Sequence, residues 1–214
     1  MTARRHPIFA RLYPRMSRAM DEGGMADHRH AFLAELAGAV IEIGAGDGKN
    51  FPHYPPAVTR LLAIEPEPRL RRLAGAAARK SQIPVDVTNG VAGRLPAADA
   101  SFDAAVFSFT LCTVPAQDTA LREAYRVLKP GGQLRILEHV LASDAGQARL
   151  QRLLDATVWP HLFGGCHLGR DTAAAIEHAG FTIAQLDEFL FPPARTPISF
   201  YIRATARRPE RSRP

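Results

Sequence analysis

The sequence predicts an α/β fold, with a seven-stranded, mostly parallel sheet that has an antiparallel last strand and helices on both faces. Three observations lead to this prediction. Strand-like and helix-like segments alternate through the middle of the chain, which is typical of parallel strands joined by helices. A glycine-rich segment at 44–48 directly follows a short buried strand. Two apolar segments near the C-terminus resemble an antiparallel pair, and 214 residues suit one such domain.

The individual elements follow from apolar runs and from the residues that bound them. Strands are predicted at 39–43, 61–64, 85–87, 104–107, 133–138, 181–186 and 198–204. Helices are predicted at about 69–80, 119–128, 145–158 and 172–179, with one or two more in the first 35 residues. We therefore expect one domain over 1–206, made of an N-terminal helical lid at 1–38 and a core at 39–206. A disordered basic tail is expected at 207–214.

The positive charge of the chain is concentrated at its two ends. The net charge is +6, yet residues 1–20 contain five arginines and no acidic residue, and residues 201–214 contain five arginines and one glutamate. The segment between the ends is slightly acidic, so no basic face for a nucleic acid is expected. The N-terminal arginines favour weak peripheral contact with an anionic membrane. The sequence carries no signal for an oligomeric state.

Neither a secretory signal nor a membrane span is expected. No apolar run approaches the ~20 residues that cross a bilayer, and the first residues lead into no apolar signal region. Cys112 and Cys166 are the two cysteines, too few for a disulfide framework, which suits a reducing cytoplasm. They also lack the clustered spacing of a zinc site, so no metal is expected.

The glycine-rich segment has the composition of a cofactor loop. Glycine permits the backbone angles of a tight strand-to-helix turn and leaves room for a ligand against the main chain. A dinucleotide loop needs a third glycine where Lys49 stands. S-adenosylmethionine has no phosphates; it needs close backbone contact and a carboxylate for its amino group, so the loop favours this cofactor over a dinucleotide. A glycine-rich turn without a ligand is the alternative. The residues expected to hold the cofactor here are Glu42, Gly44, Ala45, Gly46, Asp47 and Gly48.

A second acid stands at the end of the second predicted strand. Glu65, followed by Pro66, lies at the edge where open α/β sheets bind ligands, and its carboxylate can accept both hydroxyls of a ribose. A merely solvated glutamate is the alternative. Enzymes that use NAD have the same device, so Glu65 indicates a nucleoside and not one particular cofactor.

Four segments in this order resemble class I S-adenosylmethionine-dependent methyltransferases, over about residues 39–205. They are the glycine loop, the strand end at Glu65, SFDAAV at 101–106 and RVLKPGG at 126–132. Within that superfamily the chain is similar to the methyltransferase-like group that includes the animal thiol S-methyltransferases. That similarity is carried by GKNFPHYPP at 48–56, LCTV at 111–114, LEHV at 137–140 and FGGCHLGRD at 163–171. The resemblance implies a Rossmann-like fold and S-adenosylmethionine as the methyl donor.

The sequence departs from this family where the adenine would bind. The family often has an acid that accepts a hydrogen bond from the adenine amino group, and Val91 stands in its place. The main chain at Val91 and Ala92 can still pair with the adenine edge. Losing one such bond costs about 0.5–1.5 kcal/mol, which weakens cofactor binding without abolishing it.

Three polar residues are candidates for the reacting end of the cofactor. Ser108, at the end of the fourth strand, is expected to face the transferable methyl group. His139, just after the fifth strand, is the leading candidate to handle a proton, and His167 beside a small-residue turn is the second. A structural role is the alternative for both histidines.

Together these features predict a methyltransferase for a small, fairly apolar acceptor. A thiol is preferred, since its free pKa near 8.5 requires little activation. The alternative within the enzyme class is an N- or O-methyltransferase of a phospholipid, quinone or natural product. From a different class, the alternative is a non-catalytic S-adenosylmethionine-binding protein.

Overall fold

The computed structural model describes residues 7–210, in which seven strands form one sheet in the order β3-β2-β1-β4-β5-β7-β6. All neighbouring strands are parallel except β7, which runs antiparallel to both β5 and β6. This confirms the predicted sheet. The strands are β1 Gly38–Ile43, β2 Val58–Ile64, β3 Val85–Thr88, β4 Phe102–Ser108, β5 Leu128–His139, β6 Thr182–Leu190 and β7 Phe200–Arg207.

Helices cover the sheet on both faces. They are α1 Pro7–Met20, α2 Ala26–Leu33, α3 Pro68–Ala78, α4 Gln117–Val127, α5 Ala145–Ala156, α6 Trp159–Leu162 and α7 Thr172–His178. The carboxylates of Glu67, Asp144 and Asp171 cap α3, α5 and α7 by accepting backbone N–H groups of their first turns, which explains where these helices begin. Gly24, with φ +111°, lies in the turn between α1 and α2.

One of the predicted helices is wrong in its extent. The helix expected at 145–158 is divided, because Thr157 has the non-helical angles φ −122° and ψ −97° and separates α5 from α6. The glycine loop leads only into a single 3-10 turn at Phe51–His53, because the chain returns at once to β2.

The core lies on both faces of the sheet because the central strands are buried on both sides. In β1, Ile41 and Ile43 pack with α4 and α7, whereas Val40 points to the opposite face, where it packs with α2 and α3. Such strands read as continuous apolar runs, and this made β1 and β4 recognisable in the sequence. The one acidic residue of β1, Glu42, shares the face of Val40.

The predicted disordered tail is wrong for residues 207–210. Arg207 ends β7, and the backbone of Arg208 exchanges two hydrogen bonds of 2.9 Å with Gly131 and Gly132. The Arg208 guanidinium donates to the carbonyl of Tyr125 at 2.8 Å and lies 4.5 Å from the centre of its ring. Residues 211–214, and the arginines at positions 4 and 5, lie outside the described residues.

Candidate cofactor and acceptor site

The candidate site lies at the carboxyl ends of β1 and β4, where the strand order reverses. Ligands of open α/β sheets bind at such a reversal point. The Gly44 and Ala45 amides donate to the Ile64 carbonyl at 2.8 and 3.0 Å, so the loop turns across the end of β2. Gly44 has φ +80°, and a side chain there would overlap Thr110, which follows β4. Glycine is therefore required by the close approach of the two strand ends.

Glu65 joins the glycine loop to the end of β2. One carboxylate oxygen accepts the Gly46 amide at 2.8 Å and the other accepts the Glu67 amide at 2.8 Å. The side chain is only 5% exposed, and burial raises its pKa to about 7 although both amides favour the charged form. The carboxylate is thus held against the glycine loop with its orientation fixed.

Asp47 presents a carboxylate oxygen with an unused hydrogen-bonding capacity. Its Oδ2 accepts the Ser17 hydroxyl at 3.1 Å, while its buried Oδ1 has no partner among the described residues. Burial raises the Asp47 pKa. An orphaned carboxylate oxygen beside a loop of positive-φ glycines fits a ligand with an amino group, as S-adenosylmethionine has.

Glu42 has a different environment from the one its position in the sequence predicts. It is buried, and its two oxygens accept the Asn50 amide at 2.7 Å and the Tyr54 hydroxyl at 3.1 Å. Burial raises its pKa to about 7. Glu42 is only 1% exposed and each of its oxygens accepts one hydrogen bond, whereas the Asp47 Oδ1 has no partner among the described residues, so the geometry favours Asp47 as the partner of a cofactor amino group. The Glu42 carboxylate instead fixes the segment that follows the loop.

Arg29 is a site residue that sequence reasoning missed. It projects from α2, is 3% exposed, and donates to Asn50 at 2.7 Å and to the Ser108 hydroxyl at 3.0 Å. Asp21 pairs with the same guanidinium at 2.9 Å. The Ser108 hydroxyl, expected to face the methyl group, is therefore an acceptor for Arg29. An arginine in an N-terminal helix gives no sequence signal for this role.

The predicted adenine-side residues lie next to the end of β2. A side chain at Gly90 would approach the Ile64 methyl to 2.9 Å, so the 90–92 turn packs against that strand. The Val91 carbonyl accepts the Arg94 amide at 3.0 Å, and Val91 and Ala92 are half-buried. The carbonyl of Pro66 accepts the Arg71 guanidinium at 3.0 Å. The predicted residues of the loop, the ribose acid and the adenine turn thus share one edge of the sheet.

His139 lies at the carboxyl end of β5, where a ring nitrogen lies within 4.8 Å of the sulfur atoms of two cysteines, Cys112 and Cys166. Its Nε2 is 2.9 Å from the Cys166 sulfur, which also accepts the Trp159 indole N–H at 3.4 Å. Hydrogen bonds from Cys112, His139 and Trp159 lower the pKa of the Cys166 thiol despite its burial. Burial lowers the pKa of His139, but the Cys166 sulfur and the Glu138 carboxylate outweigh it and raise the pKa overall.

Glu138, the neighbour of His139, also escaped the sequence prediction. Its Oε1 accepts the amides of Thr110 and Leu111 just after β4, and its buried Oε2 has no partner among the described residues. Burial raises its pKa to about 7. Glu138 therefore ties the ends of β4 and β5 together and leaves one acceptor atom at the site.

His167 contacts the cluster around His139 through its backbone and not through its ring. Its amide donates to the Cys112 carbonyl at 2.8 Å. Its ring Nδ1 lies 3.9 Å from the Asp155 carboxylate, and its side chain is 38% exposed. The ring is thus directed toward Asp155, which makes His139 the better placed of the two predicted catalytic histidines.

The helix α1 covers both parts of the site. The Tyr13 ring lies 3.0 Å from where a side chain at Gly46 would begin, and the Phe9 ring contacts Gly164 in the turn after α6. Beside this turn, Trp159 and Phe163 stack with ring centres 3.9 Å apart. The acceptor side is therefore bounded by aromatic rings. Among the described residues no helix is long and apolar enough to cross a membrane.

Comparison with known families gives one domain match, to the methyltransferase domain, over residues 41–136. Human thiol S-methyltransferase TMT1A is 35% identical over 169 residues, which is 75% of this chain and 68% of that protein. The chain spans 62–70% of the length of the thiol S-methyltransferases that it matches.

A second group of relatives methylates a different atom. The ubiquinone/menaquinone biosynthesis C-methyltransferase UbiE of Bradyrhizobium diazoefficiens is 36% identical over 119 residues, 56% of this chain and 45% of that enzyme. Among solved structures, an S-adenosylmethionine-dependent methyltransferase from Mesorhizobium loti has a TM-score of 0.63 at 20% identity, covering 88% of this chain and all of that one. At this identity the likeness shows the fold alone.

Proposed function

This chain belongs to the family of S-adenosylmethionine-dependent methyltransferases that includes the thiol S-methyltransferases, and on that premise we propose that it methylates a small, apolar thiol. The observation that carries the proposal is the acceptor side of the site, where His139 and two cysteine sulfurs lie beside the stacked rings of Trp159 and Phe163. Apolar walls with a small number of polar groups suit a small ligand.

The cofactor residues that we propose are the loop 44–48, Glu65 with Pro66, and the turn at Val91 and Ala92. Glu65 would accept the ribose hydroxyls and Asp47 the amino group, while Glu42 and Ser108 act by fixing the neighbouring loop and strand end through Asn50 and Arg29. When bound, S-adenosylmethionine supplies a methyl group on a positively charged sulfur; transfer to a thiol forms one carbon–sulfur bond, breaks another and releases the thiol proton.

The protein contributes to this reaction by positioning the two reactants and by excluding water from them. Holding two reactants in line at contact distance can supply an effective molarity of roughly 10⁵ M or more. Phe9, Trp159 and Phe163 would exclude water, and His139 would orient the acceptor and receive its proton. A thiol makes a smaller demand on such a site than a phenol or an alcohol, because its ordinary pKa is near 8.5.

The test is a methyl-transfer assay with small alkyl and aryl thiols, matched phenols and amines, and a quinol. We expect thiols to be methylated and the matched phenols to react at least about tenfold more slowly. Calorimetry with S-adenosylhomocysteine and with NAD provides the companion measurement. Binding of NAD without binding of S-adenosylhomocysteine would contradict the cofactor assignment. Methylation of the quinol alone would contradict the thiol acceptor and favour a quinone-type acceptor.

The surface of α1 supports a second proposal, peripheral contact with an anionic membrane. Ile8, Leu12 and Met16 recur at helical spacing and are 75%, 49% and 37% exposed. Three arginines of the same helix, Arg11, Arg15 and Arg18, supply positive charge. Such helices lie in the interface of anionic bilayers. Deleting residues 1–20 should reduce binding to anionic vesicles, and unchanged binding would contradict this contact.

A non-catalytic binding protein is the alternative from a different class. Val91 is the feature that supports it, since the adenine contact of the family is altered there. The two ideas predict different results in one experiment. A binder would take up S-adenosylhomocysteine and yet transfer no methyl group to any member of the acceptor panel.

A further inference from the structure

Three potential metal ligands converge on the acceptor side of the site. The sulfur atoms of Cys112 and Cys166 and a ring nitrogen of His139 all lie within 4.8 Å of one another. They come from three separate segments: the turn after β4, the end of β5 and the turn after α6. The backbone holds these segments together, since the Cys112 carbonyl accepts the His167 amide at 2.8 Å and the Leu137 carbonyl of β5 accepts the Phe109 amide after β4 at 2.9 Å.

The spacing of these atoms is close to that of a tetrahedral zinc site. Zinc bonds of about 2.3 Å to sulfur and about 2.0 Å to nitrogen place the ligand atoms roughly 3.5–3.8 Å apart. The 2.9 Å distance from His139 to Cys166 would widen by about 0.6 Å on this geometry. Small side-chain rotations provide that much, so the backbone can stay where it is.

The charges around the cluster suit a divalent cation. Cys112 and Cys166 are 3% and 7% exposed and Glu138 is fully buried, so an uncompensated charge would be costly here. Arg170, whose guanidinium donates to the carbonyls of Leu111 and Val114, lies nearby and offsets the Glu138 carboxylate. Two thiolates then balance one dication, which leaves the cluster neutral.

We propose that Cys112, His139 and Cys166 bind one zinc ion and that the acceptor thiol occupies its fourth position. Two cysteines and one histidine form a ligand set of catalytic zinc sites, which leave one position for water or substrate, and soft thiolate ligands select zinc over magnesium or calcium. The second half of the proposal rests on the proposed function. On binding, the acceptor would form a zinc–sulfur bond and lose its proton to solvent, and no longer to His139, which is a zinc ligand in this form of the site. The resulting thiolate sulfur would attack the methyl carbon, whose bond to the cofactor sulfur breaks.

This proposal departs from what the spacing of the cysteines along the chain predicts. Zinc sites recognisable in a sequence place their ligands in pairs a few residues apart, whereas 54 positions separate Cys112 from Cys166. The fold, and not the local sequence, brings them together. The alternative is a metal-free hydrogen bond between the Cys166 thiolate and a protonated His139.

The first experiment measures metal binding by the whole chain without any methyl acceptor. Purified protein is titrated with Co²⁺ and then with Zn²⁺, and the thiolate-to-cobalt absorption is followed. We expect one Co²⁺ per chain, displaced by Zn²⁺. Two matched variants distinguish a metal ligand from a histidine that only lies nearby. His139→Asn should weaken metal binding by more than about a hundredfold, and His167→Asn should not. Equal effects of the two, or no cobalt absorption, would overturn the proposal.

A second measurement does not depend on any variant remaining folded. Zinc should protect both cysteines of the unmodified chain from a thiol-alkylating reagent, and unprotected cysteines at saturating zinc would contradict the site. For Cys166→Ser and His139→Asn, S-adenosylhomocysteine calorimetry verifies that the fold is kept. A small thiol added to the cobalt protein should change its absorption, and an unchanged spectrum would overturn the fourth-position assignment.

The methyl-transfer assay distinguishes a failure of the zinc site from a failure of the proposed thiol methylation. If a chelator removes zinc and thiol methylation continues at the same rate, the zinc inference is wrong and the proposed function stands. If zinc binds as described and thiols are not methylated, the proposed function is wrong and the metal site stands.

Discussion

Replacing Glu65 by glutamine tests the cofactor site because the two side chains have the same shape. The wild-type carboxylate is held by the Gly46 and Glu67 amides at 2.8 Å each, which leaves its remaining lone pairs for a ribose. Hydrogen bonds to a charged acceptor contribute about 1.5–3 kcal/mol. At pH 8 we therefore expect Glu65→Gln to bind S-adenosylhomocysteine about 10- to 100-fold more weakly than the wild type.

The same substitution should change how the stability of the ligand-free protein depends on pH, because glutamine does not titrate, while it also removes one of the two acceptor oxygens that the Gly46 and Glu67 amides use. The carboxyl pKa is 4.5 in its ordinary environment and is raised to about 7 by burial in the folded chain. Between these values the folded state holds the extra proton. The contribution of Glu65 to the free energy of unfolding is therefore fully present below pH 4.5 and is lost as the pH rises through 7. A shift of this size corresponds to about 3 kcal/mol.

A pH dependence of affinity and of stability that is present in the wild type and lost in Glu65→Gln would be hard to mistake for general damage. Calorimetry with S-adenosylhomocysteine and urea unfolding would be carried out at pH 5.5, 7 and 8.5 on the wild type, Glu65→Gln and the control Asp86→Asn, which removes an exposed carboxylate from β3. The affinity ratio of wild type to Glu65→Gln should shrink at low pH as the wild type becomes protonated. A ratio that is independent of pH, or equal affinities at pH 8.5, would refute the reasoning.

Three further predictions concern the loop, the helix over the site and the C-terminal segment. Gly44→Ala should lower the free energy of unfolding by about 2 kcal/mol or more, because of its positive φ and its overlap with Thr110; Gly75→Ala, in the open middle of α3, should raise it by about 0.5–1 kcal/mol in the same urea experiment. Phe9→Ala should speed S-adenosylhomocysteine dissociation in stopped-flow measurements, since α1 loses its contact with Gly164, and an unchanged rate would argue against α1 as a lid. Arg208→Ala should cost about 1–3 kcal/mol in thermal unfolding, because it leaves the Tyr125 carbonyl without its donor, while leaving the affinity for S-adenosylhomocysteine unchanged.

The parts of the fold that the sequence predicts well are those set by local chemistry. The strands β1 and β4 are continuous apolar runs because both faces are buried, and the turn after β1 is rich in glycine because its backbone passes Thr110 closely. Glu65 was recognisable because its place at the ligand-binding edge of the sheet follows from the position of the strand that it ends. The structure brings these features to one edge, as the sheet topology requires.

The parts that escaped prediction depend on contacts between distant segments. Arg29 lies in a helix that looks like an ordinary surface helix, and its bond to Ser108 spans 79 positions. Glu138 stands in a strand as an isolated acid, and its amide partners belong to the turn after the neighbouring strand. The segment 207–210 looked like a basic tail, because a sequence window cannot show that Arg208 reaches the carbonyls at the end of α4. The composition of a segment does not show which distant residues it contacts, and such contacts set the roles of Arg29, Glu138 and Arg208.

The helix α1 links the two halves of the site. Phe9, Tyr13 and Ser17 recur every four residues, so they share one face and span about 12 Å along the helix. Phe9 contacts the turn that carries Cys166, Tyr13 lies against Gly46, and Ser17 donates to Asp47. One rigid movement of α1 would therefore uncover the cofactor loop and the acceptor side together. Because the residues of the same helix that face outward include the exposed Ile8 and Leu12, an apolar acceptor held at a membrane would meet α1 before the rest of the site.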